Sequence, residues 1–233
     1  MTEHPPSKRS GPSDVSRPRL VTPDREFFGR SALAVAPELL GAHLRLGPVT
    51  VRLTEVEAYA GTHDPGSHAF RGPTPRTQVM FGPAGHLYVY FSYGMHWCCN
   101  IVCGSQGEAS AVLLRAGEVV QGQEEARTRR DAARARPARP HELARGPACL
   151  TSALDLGRQH DGLDLFPPAG RSPVGIQVLT TPSRVVKTGP RVGVSGEGGD
   201  AERYPWRFWL PGEPTVSVYR PAASRRHPRA TSD

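Results

Sequence analysis

The residues best suited to chemistry lie in the stretch LTEVEAYAG, residues 53–61. Glu55 and Glu57 are two positions apart, so an extended strand places both carboxylates on one face. His68 follows in a glycine-rich loop, eleven residues after Glu57. A carboxylate in this setting is suited to direct a water molecule as a general base.

Aromatic side chains are concentrated in the segment HLYVYFSYGMHWCCNIVC, which carries tyrosines at 88, 90 and 93. With the carboxylate and the histidine, they form the set of groups that a base-flipping hydrolase requires. Such an enzyme holds an extruded nucleobase in a flat apolar slot, fills the gap in the duplex with a wedge and directs water at the sugar. Arginine side chains hold the strand through its phosphates.

Other chemistries find less support in the spacing of residues. The histidines and cysteines match none of the patterns H-E-x-x-H, C-x-x-C or paired C-x-x-C and H-x-x-x-H, so we expect no metal site. Cys98, Cys99 and Cys103 are bunched together, and no sequence feature marks one of them as a nucleophile. We interpret them as buried apolar side chains.

The elements that must position these groups are mainly strands. LRLGPVTVRLTEVEAYA alternates apolar and polar residues around Gly47-Pro48, which predicts a hairpin leading into a longer strand. A second hairpin is predicted with its tip at residues 93–96, and SAVLLRAGEVV is a third predicted strand. Before them, Ser31 is placed to cap a helix through LAVAPELL that stops at Gly41, with Pro37 in its first turn or at a kink.

The second half of the chain has a different character. Residues 121–145 combine helical propensity with dense arginine, which is typical of a solvated helix followed by a loop. GPACLTSALDL predicts a small amphipathic helix, while RVGVS and WRFWLPGEPTVSV predict the last strands. Residues 1–20 and 221–233 are polar, proline-rich and basic, so we expect disordered tails around one domain over 21–220.

The expected fold class is therefore α+β. We expect a single domain with a curved, mostly antiparallel, open-barrel-like sheet, short surrounding helices and a protruding β-hairpin.

Composition sets outer limits on the function. The 233 residues carry a net charge of +7 that is almost wholly arginine, since Lys8 and Lys187 are the only lysines. This charge suits a partner rich in phosphates, although a GC-rich genome would also favour arginine. No apolar stretch is long enough to cross a bilayer and no signal peptide is recognisable, so we expect a cytoplasmic protein without membrane partners.

Several stretches in order resemble the motifs of the alkyladenine (3-methyladenine) DNA glycosylase family. They are EVEAYAGTHDPGSHA, TPRTQVMFGPAGHLYVYFSYGMHWCCNIV, AVLLRAGEV, RGPACLTSALDL, RVGVS and RFWLPG, and they span most of residues 26–220. The resemblance implies an enzyme that removes alkylated and deaminated purines from double-stranded DNA by hydrolysing the N-glycosidic bond. It also implies that no cofactor is needed, and we expect a monomer.

The resemblance assigns roles to residues of the predicted slot. Glu57, in the E-A-Y motif, matches the water-activating residue, whereas Glu55 is expected to be a structural hydrogen-bond partner. Tyr59 and Tyr90 match the pair between which the flipped purine stacks. His68 matches a residue at the edge of the base, and Tyr88 supports the same wall.

Further matches concern contact with DNA and selectivity. Tyr93 and Met95 match the intercalating side chains at the hairpin tip. Asn100 matches a residue that narrows the pocket floor and would clash with the exocyclic amine of guanine. Arg115 matches an arginine near the phosphate beside the flipped nucleotide, and a salt bridge to Glu118 is the alternative.

Arg76 and Arg145 are weaker candidates for contacts with the DNA backbone. His96 stands where the family commonly has an aromatic residue, and the CGSQGEAS turn is slightly longer than usual, so the local DNA contact is open. The role of the arginine-rich stretch 127–139 is open as well.

Two alternatives to a hydrolytic glycosylase remain at this point. A lesion-binding protein without turnover would keep the tyrosines and lose the acid, and Glu57 therefore favours catalysis. A metal-dependent nuclease would need a cluster of carboxylates and histidines. Strand cleavage through a Schiff base needs an amine, and neither Lys8 nor Lys187 has a matching role, so we expect a monofunctional enzyme.

Overall fold

The computed structural model describes residues 18–92, 94–132, 135–183 and 185–222. The predicted wedge Tyr93 and most of the two predicted tails lie outside these residues. Leu20, the last residue of the predicted N-terminal tail, already pairs with Leu179 in a strand.

The described residues form ten strands and four α-helices. The strands are β1 Leu20–Val21, β2 His43–Leu46, β3 Val49–Ala60, β4 Leu87–Ser92, β5 His96–Cys103, β6 Ser110–Gln121, β7 Ala144–Arg145, β8 Val174–Leu179, β9 Lys187–Gly189 and β10 Arg207–Trp209. The helices are α1 Arg25–Phe28, α2 Ala32–Glu38, α3 Gln123–Asp131 and α4 Pro147–Leu154.

Two long strands, β3 and β6, organise the sheet. Its order is β1-β8-β2-β3-β6-β5-β4, and every pairing between strands is antiparallel within the described residues. The first part of β3 pairs with β2, and its last part pairs with the short strand β10. Both predicted hairpins are present, as β2-β3 and β4-β5. The predicted α+β class with an open antiparallel sheet in a single domain is confirmed.

The apolar faces of the helices close one side of this sheet. Val35, Leu39, Leu53, Leu114 and Leu150 are fully buried in one cluster that joins α2, α4 and the central strands. A smaller cluster around Tyr88 and Met80 lies at the β4-β5 hairpin. Every helix of the described residues is too short or too polar to span a lipid bilayer.

Local signals predicted the helix starts better than the ends. Ser31 caps α2 by accepting a hydrogen bond from the Ala34 amide at 3.3 Å. The helix ends at Glu38 rather than at Gly41, and Pro37 lies in its last turn instead of its first. In this short helix Pro37 removes a single bond, the one that an N–H at this position would donate to the Leu33 carbonyl.

One predicted strand is wrong and another is shorter than predicted. The segment RVGVS forms a turn, in which Gly193 has φ +73° and the Arg191 side chain is buried. In WRFWLPGEPTVSV only Arg207–Trp209 belongs to a strand. Outside β10, apolar alternation failed because these segments are held by bonds to side chains of β3, such as those of the Val192 and Ser217 amides, rather than by ladder pairing.

The arginine-rich segment is a helix and a loop, as predicted, but its arginines are not simply solvated. Three of them, all in α3, donate to backbone carbonyls: Arg127 to Ala138, Arg129 to Ala153 and Arg130 to Leu143. These bonds tie α3 to the following loop and to α4.

Candidate active site

The sheet register places the predicted site residues in one row. Tyr88 lies opposite Asn100, Asn100 opposite Leu113, and Leu113 opposite Glu57. Residues directly opposite each other in antiparallel strands present their side chains on the same face. The row therefore crosses four strands on one face of the sheet.

The residues two positions away extend this face. Tyr90, Cys98, Arg115 and Tyr59 lie two residues from members of the row and share their orientation. Because side chains alternate between the two faces along each strand, residues from four separate sequence motifs form a single surface.

A cavity of about 720 Å³ opens over this surface. Its walls come from the β4-β5 hairpin, the loop after β3, the start of α4 and the turn at 192–195. The lining residues that the sequence had singled out are Tyr59, His68, Arg76, Tyr88, Tyr90, His96, Cys98, Asn100 and Arg115.

One wall of the cavity is an aromatic cluster. The rings of Tyr88 and Tyr90 stack with centroids 5.2 Å apart, and the His68 ring meets Tyr90 edge-on at 4.7 Å. The guanidinium of Arg76 lies 5.0 Å from the centroid of Tyr90. Tyr59 lines the same cavity from the strand that carries Glu57.

Glu57 lies directly behind the lining and has no exposed surface. Its Oε2 accepts hydrogen bonds from the Tyr59 hydroxyl at 2.9 Å and from Arg115 Nη1 at 3.3 Å. Its Oε1 accepts from the Val192 amide at 2.7 Å. All three donors belong to residues that line the cavity, so the carboxylate is held at the cavity wall.

Glu55 has a different environment from its neighbour. Its Oε1 accepts from Arg115 at 2.9 Å and from Arg207 at 2.7 Å, and its Oε2 accepts from the Ser217 amide at 2.6 Å. Burial alone would raise the pKa of Glu55, but the two arginines and Ser217 outweigh it and hold the pKa below 4.5. The expectation that Glu55 is a structural partner agrees with these contacts.

Arg115 bridges the two carboxylates. It is 5 % exposed and bonds both Glu55 and Glu57. The alternative partner considered for it, Glu118, is wrong: Glu118 lies directly opposite Arg52 in the register and pairs with it at 2.7 Å.

The sequence analysis missed a second buried ion pair beside Tyr59. Arg191 bonds both carboxylate oxygens of Asp64, at 2.5 and 2.7 Å, and both side chains are fully buried. Arg191 lies in RVGVS, which was predicted to be a strand, and no role was predicted for Asp64. No local pattern links them, because they are 127 residues apart.

Protonation states follow from these surroundings. Burial and the nearby Glu57 raise the pKa of Tyr59 well above 10, so the phenol remains a donor. Partial desolvation against the aromatic wall, together with Arg76, lowers the pKa of His68 below 6.5, which leaves the imidazole neutral at pH 7. Burial raises the pKa of the Cys98, Cys99 and Cys103 thiols, which disfavours a thiolate nucleophile.

The remaining predicted residues lie around the cavity. Asn100 is buried in the floor and donates to the Tyr88 carbonyl at 3.1 Å. Met95, at the hairpin tip, is 72 % exposed. Arg145 is half-buried and donates to the Val216 carbonyl at 2.9 Å, so its guanidinium is less available than expected. Within the described ranges, no group of three or more potential ligands could hold a metal ion.

Comparison with known proteins agrees with this geometry. The family model described as "Methylpurine-DNA glycosylase (MPG)" matches residues 26–214. A protein of Streptomyces avermitilis named "Putative 3-methyladenine DNA glycosylase" is 52 % identical over 216 residues, which cover 91 % of this chain and 98 % of its own.

Two further relatives carry the same printed name. The protein of Leifsonia xyli subsp. xyli is 52 % identical, covering 93 % of this chain and 97 % of its own. That of Frankia casuarinae is 48 % identical, covering 94 % and 99 %. The matched region contains every residue of the cavity row, and the chain belongs to the methylpurine-DNA glycosylase family.

Proposed function

We propose that the protein flips alkylated or deaminated purines out of duplex DNA and hydrolyses their N-glycosidic bond with a water activated by Glu57. The observation that carries the proposal is a buried carboxylate whose three donors all line an aromatic cavity. Family membership and the names of the relatives support the same activity.

The aromatic cavity supports binding of a flipped base. A purine between Tyr59 on one side and Tyr90 with His68 on the other would stack at about 1–3 kcal/mol per base. A neutral His68 does not repel a positively charged base such as 7-methylguanine or 3-methyladenine. Such a base gains additional binding free energy over aromatic faces. We assign Asn100, which lines the cavity, to a clash with the exocyclic amine of guanine.

Glu57 retains the capacity to bind one water. A carboxylate has about four lone-pair sites. Three are used, two on Oε2 and one on Oε1, so Oε1 has one site left, which a water reaches only when the lining shifts, because Glu57 has no exposed surface. Water bound there would lose a proton to Glu57 as its oxygen bonds to C1′ of the sugar. The purine leaves with the electrons of the broken bond, and a cationic base then departs neutral.

Arg115 supports this chemistry in two ways. It orients the Glu57 carboxylate through Nη1, and it lines the cavity where the phosphate beside the flipped nucleotide would lie. We assign Tyr93 and Met95 to the gap in the duplex and Arg76 to the backbone. Arg145 is a weaker backbone contact, because Val216 already accepts from it.

We further propose that the enzyme leaves an intact abasic site. Schiff-base chemistry needs an amine at C1′. No lysine is among the cavity-lining residues that the structure describes; Lys187 is exposed on β9, and Lys8 lies outside the described range. That arrangement supports hydrolysis without strand cleavage.

The decisive experiment compares Glu57→Gln with the parent on duplexes containing 3-methyladenine, 7-methylguanine, hypoxanthine or ethenoadenine. We expect base release by the variant to fall by about 10²–10⁴-fold, the usual contribution of a general base, with binding to lesion DNA retained. Glu118→Gln is the matched control, because it removes the same charge from an exposed carboxylate.

Full base release by Glu57→Gln would overturn the catalytic role. Binding to lesion DNA without base release by the parent would instead indicate the non-catalytic lesion-binding protein. Circular dichroism of each variant verifies that the comparison is made between folded proteins.

A further inference from the structure

Arg191 is the largest fully buried side chain of the described residues, and nothing in the chemistry proposed above uses it. It bonds Asp64 with both terminal nitrogens, the Ala58 carbonyl at 3.1 Å and the Gly198 carbonyl at 2.8 Å. Its Nε has no hydrogen-bond partner.

This arrangement is a poor way to obtain stability alone. Desolvating a guanidinium and a carboxylate costs free energy that their attraction recovers only partly, and apolar residues of similar size often serve as well. The unpaired Nε adds a further penalty. Such a pair is therefore better explained by what it positions.

Arg191 packs behind the base slot. Its Cζ lies 4.6 Å from the centroid of the Tyr59 ring and 5.2 Å from that of Trp206. Tyr59 lines the cavity and the buried Arg191 does not, so the guanidinium lies on the face of the ring turned away from the cavity. The guanidinium therefore limits how far the Tyr59 ring can move away from the cavity.

The same residue connects three segments of the site. It bonds β3 at Ala58, the loop of His68 through Asp64, and the turn at Gly198. Asp64 also accepts from the Gly66 amide at 2.8 Å. The residue after Arg191, Val192, donates its amide to Glu57.

Two glycines make room for this packing. A Cβ at Gly66 would overlap the Arg191 guanidinium, and a Cβ at Gly198 would overlap the backbone of Gly66. The close approach of the loop and the turn therefore depends on the absence of side chains at both positions.

We propose that Arg191, paired with Asp64, is a positioning residue for base release, holding the Tyr59 ring and the Val192 amide in the geometry that the slot and Glu57 require. This inference rests on the proposed function. Arg191 acts through Tyr59 and Glu57 and touches neither base nor water.

The test is the double variant Arg191→Met with Asp64→Asn, which leaves no unpaired buried charge. Its matched control is Arg203→Met with Glu197→Gln. Arg203 also stacks on an aromatic ring, 5.4 Å from the centroid of Tyr204, and pairs with Glu197 at 2.7 Å, but on the surface.

Two quantities are measured for each protein. The first is the single-turnover rate of 7-methylguanine release at saturating enzyme. The second is the affinity for a duplex carrying a tetrahydrofuran abasic analogue, which has no base to stack. We expect the double variant to release base roughly 10- to 100-fold more slowly, as for a displaced catalytic group, while its affinity for the abasic duplex stays within about threefold. The control should match the parent in both assays.

A second variant, Arg191→Lys, keeps the charge opposite Asp64 and loses the planar stacking on Tyr59. It should show the same selective loss of base release. A parental rate in either folded variant, an equal loss of abasic-duplex affinity, or failure of both variants to fold would overturn the proposal. A parent that releases no base would instead refute the proposed function.

Discussion

At the scale of single residues, the site is built from compensated charges. Three buried carboxylates each bond at least one buried arginine, and the buried side chains of the described residues carry no net charge. The acids are Glu55, Glu57 and Asp64, and the arginines are Arg115, Arg207 and Arg191. This balance explains why acids occur in the middle of an apolar strand.

The pairing of Glu55 predicts a pH-dependent stability. Its pKa in the fold is below 4.5, so its stabilising contribution is complete above pH 4.5 and is lost as pH falls through the folded-state pKa. Glu55→Gln should lower the free energy of unfolding at pH 7 by about 3–5 kcal/mol, because it leaves buried arginine charge uncompensated. Guanidinium denaturation between pH 7 and pH 3.5 should show the difference from the parent shrinking with acid.

The exposed Glu118 provides the comparison. Glu118→Gln should change the free energy of unfolding by no more than about 1 kcal/mol, as expected for a surface pair. A Glu55→Gln difference that stays constant over the whole pH range would contradict the assigned pKa.

The pKa of His68 predicts a second pH effect. Desolvation and Arg76 keep it below 6.5, so a protonated ring that repels a cationic base forms only at more acidic pH. Arg76→Gln should raise the pKa of His68 towards 6.5, measured by NMR titration of the imidazole. Release of 7-methylguanine should then decline with acid from a higher pH than in the parent, whereas an unmoved His68 titration would refute the coupling.

At the scale of elements, the β4-β5 hairpin contributes both to the cavity and to the exposed surface. Its strands contribute Tyr88, Tyr90 and Asn100 to the cavity, while its turn carries Met95 into solvent. A large apolar side chain exposed at a tip is typical of a contact surface. Under the proposed function, the element would link contact with the duplex to the pocket that receives the base.

This arrangement predicts that a substitution at the tip weakens DNA binding and leaves the stability of the fold nearly unchanged. Met95→Ala should change the free energy of unfolding by no more than about 0.5 kcal/mol, because the side chain is 72 % exposed. Affinity for lesion DNA should nevertheless fall several-fold, measured by binding titration. The control is Val120→Ala, an exposed apolar residue on β6 beyond the cavity, which should leave both quantities unchanged. Equal DNA affinities for the two variants would remove Met95 from the interface.

At the scale of the whole molecule, net charge overstates the free positive surface. The formal charge is +7, but many arginines are bonded internally. Arg25 pairs with Asp164, Arg30 with Glu38, and Arg52 with both Glu118 and Glu213. The arginines of α3 likewise bond carbonyl groups, so that helix is more structural than its composition indicates.

Dependence of the activity on a metal ion distinguishes the proposed glycosylase from the metal-dependent alternative. A glycosylase that relies on Glu57 and aromatic stacking should retain full base release after treatment with EDTA. A metal-dependent nuclease or phosphoesterase would lose its activity and recover it when divalent cation is added back. Loss of base release in EDTA, measured on a duplex containing 7-methylguanine, would refute the mechanism proposed here.

The sequence alone was sufficient to predict the groups available for chemistry and the local elements that hold them. Period-two alternation predicted β3, β4, β5 and β6, and Ser31 predicted the start of α2, because these signals arise among near neighbours in the chain. With the family motifs, the same stretches identified three of the four residues of the cavity row, Glu57, Tyr88 and Asn100, whereas Leu113 was not predicted.

Only the tertiary structure decided how the charges are paired. Arg191 meets Asp64 across 127 positions, the Val192 amide meets Glu57 across 135, and the Ser217 amide meets Glu55 across 162. Such contacts depend on which segments the sheet register brings side by side, and local periodicity carries no information about them. For that reason RVGVS was mistaken for a strand, although it is the turn that anchors Glu57.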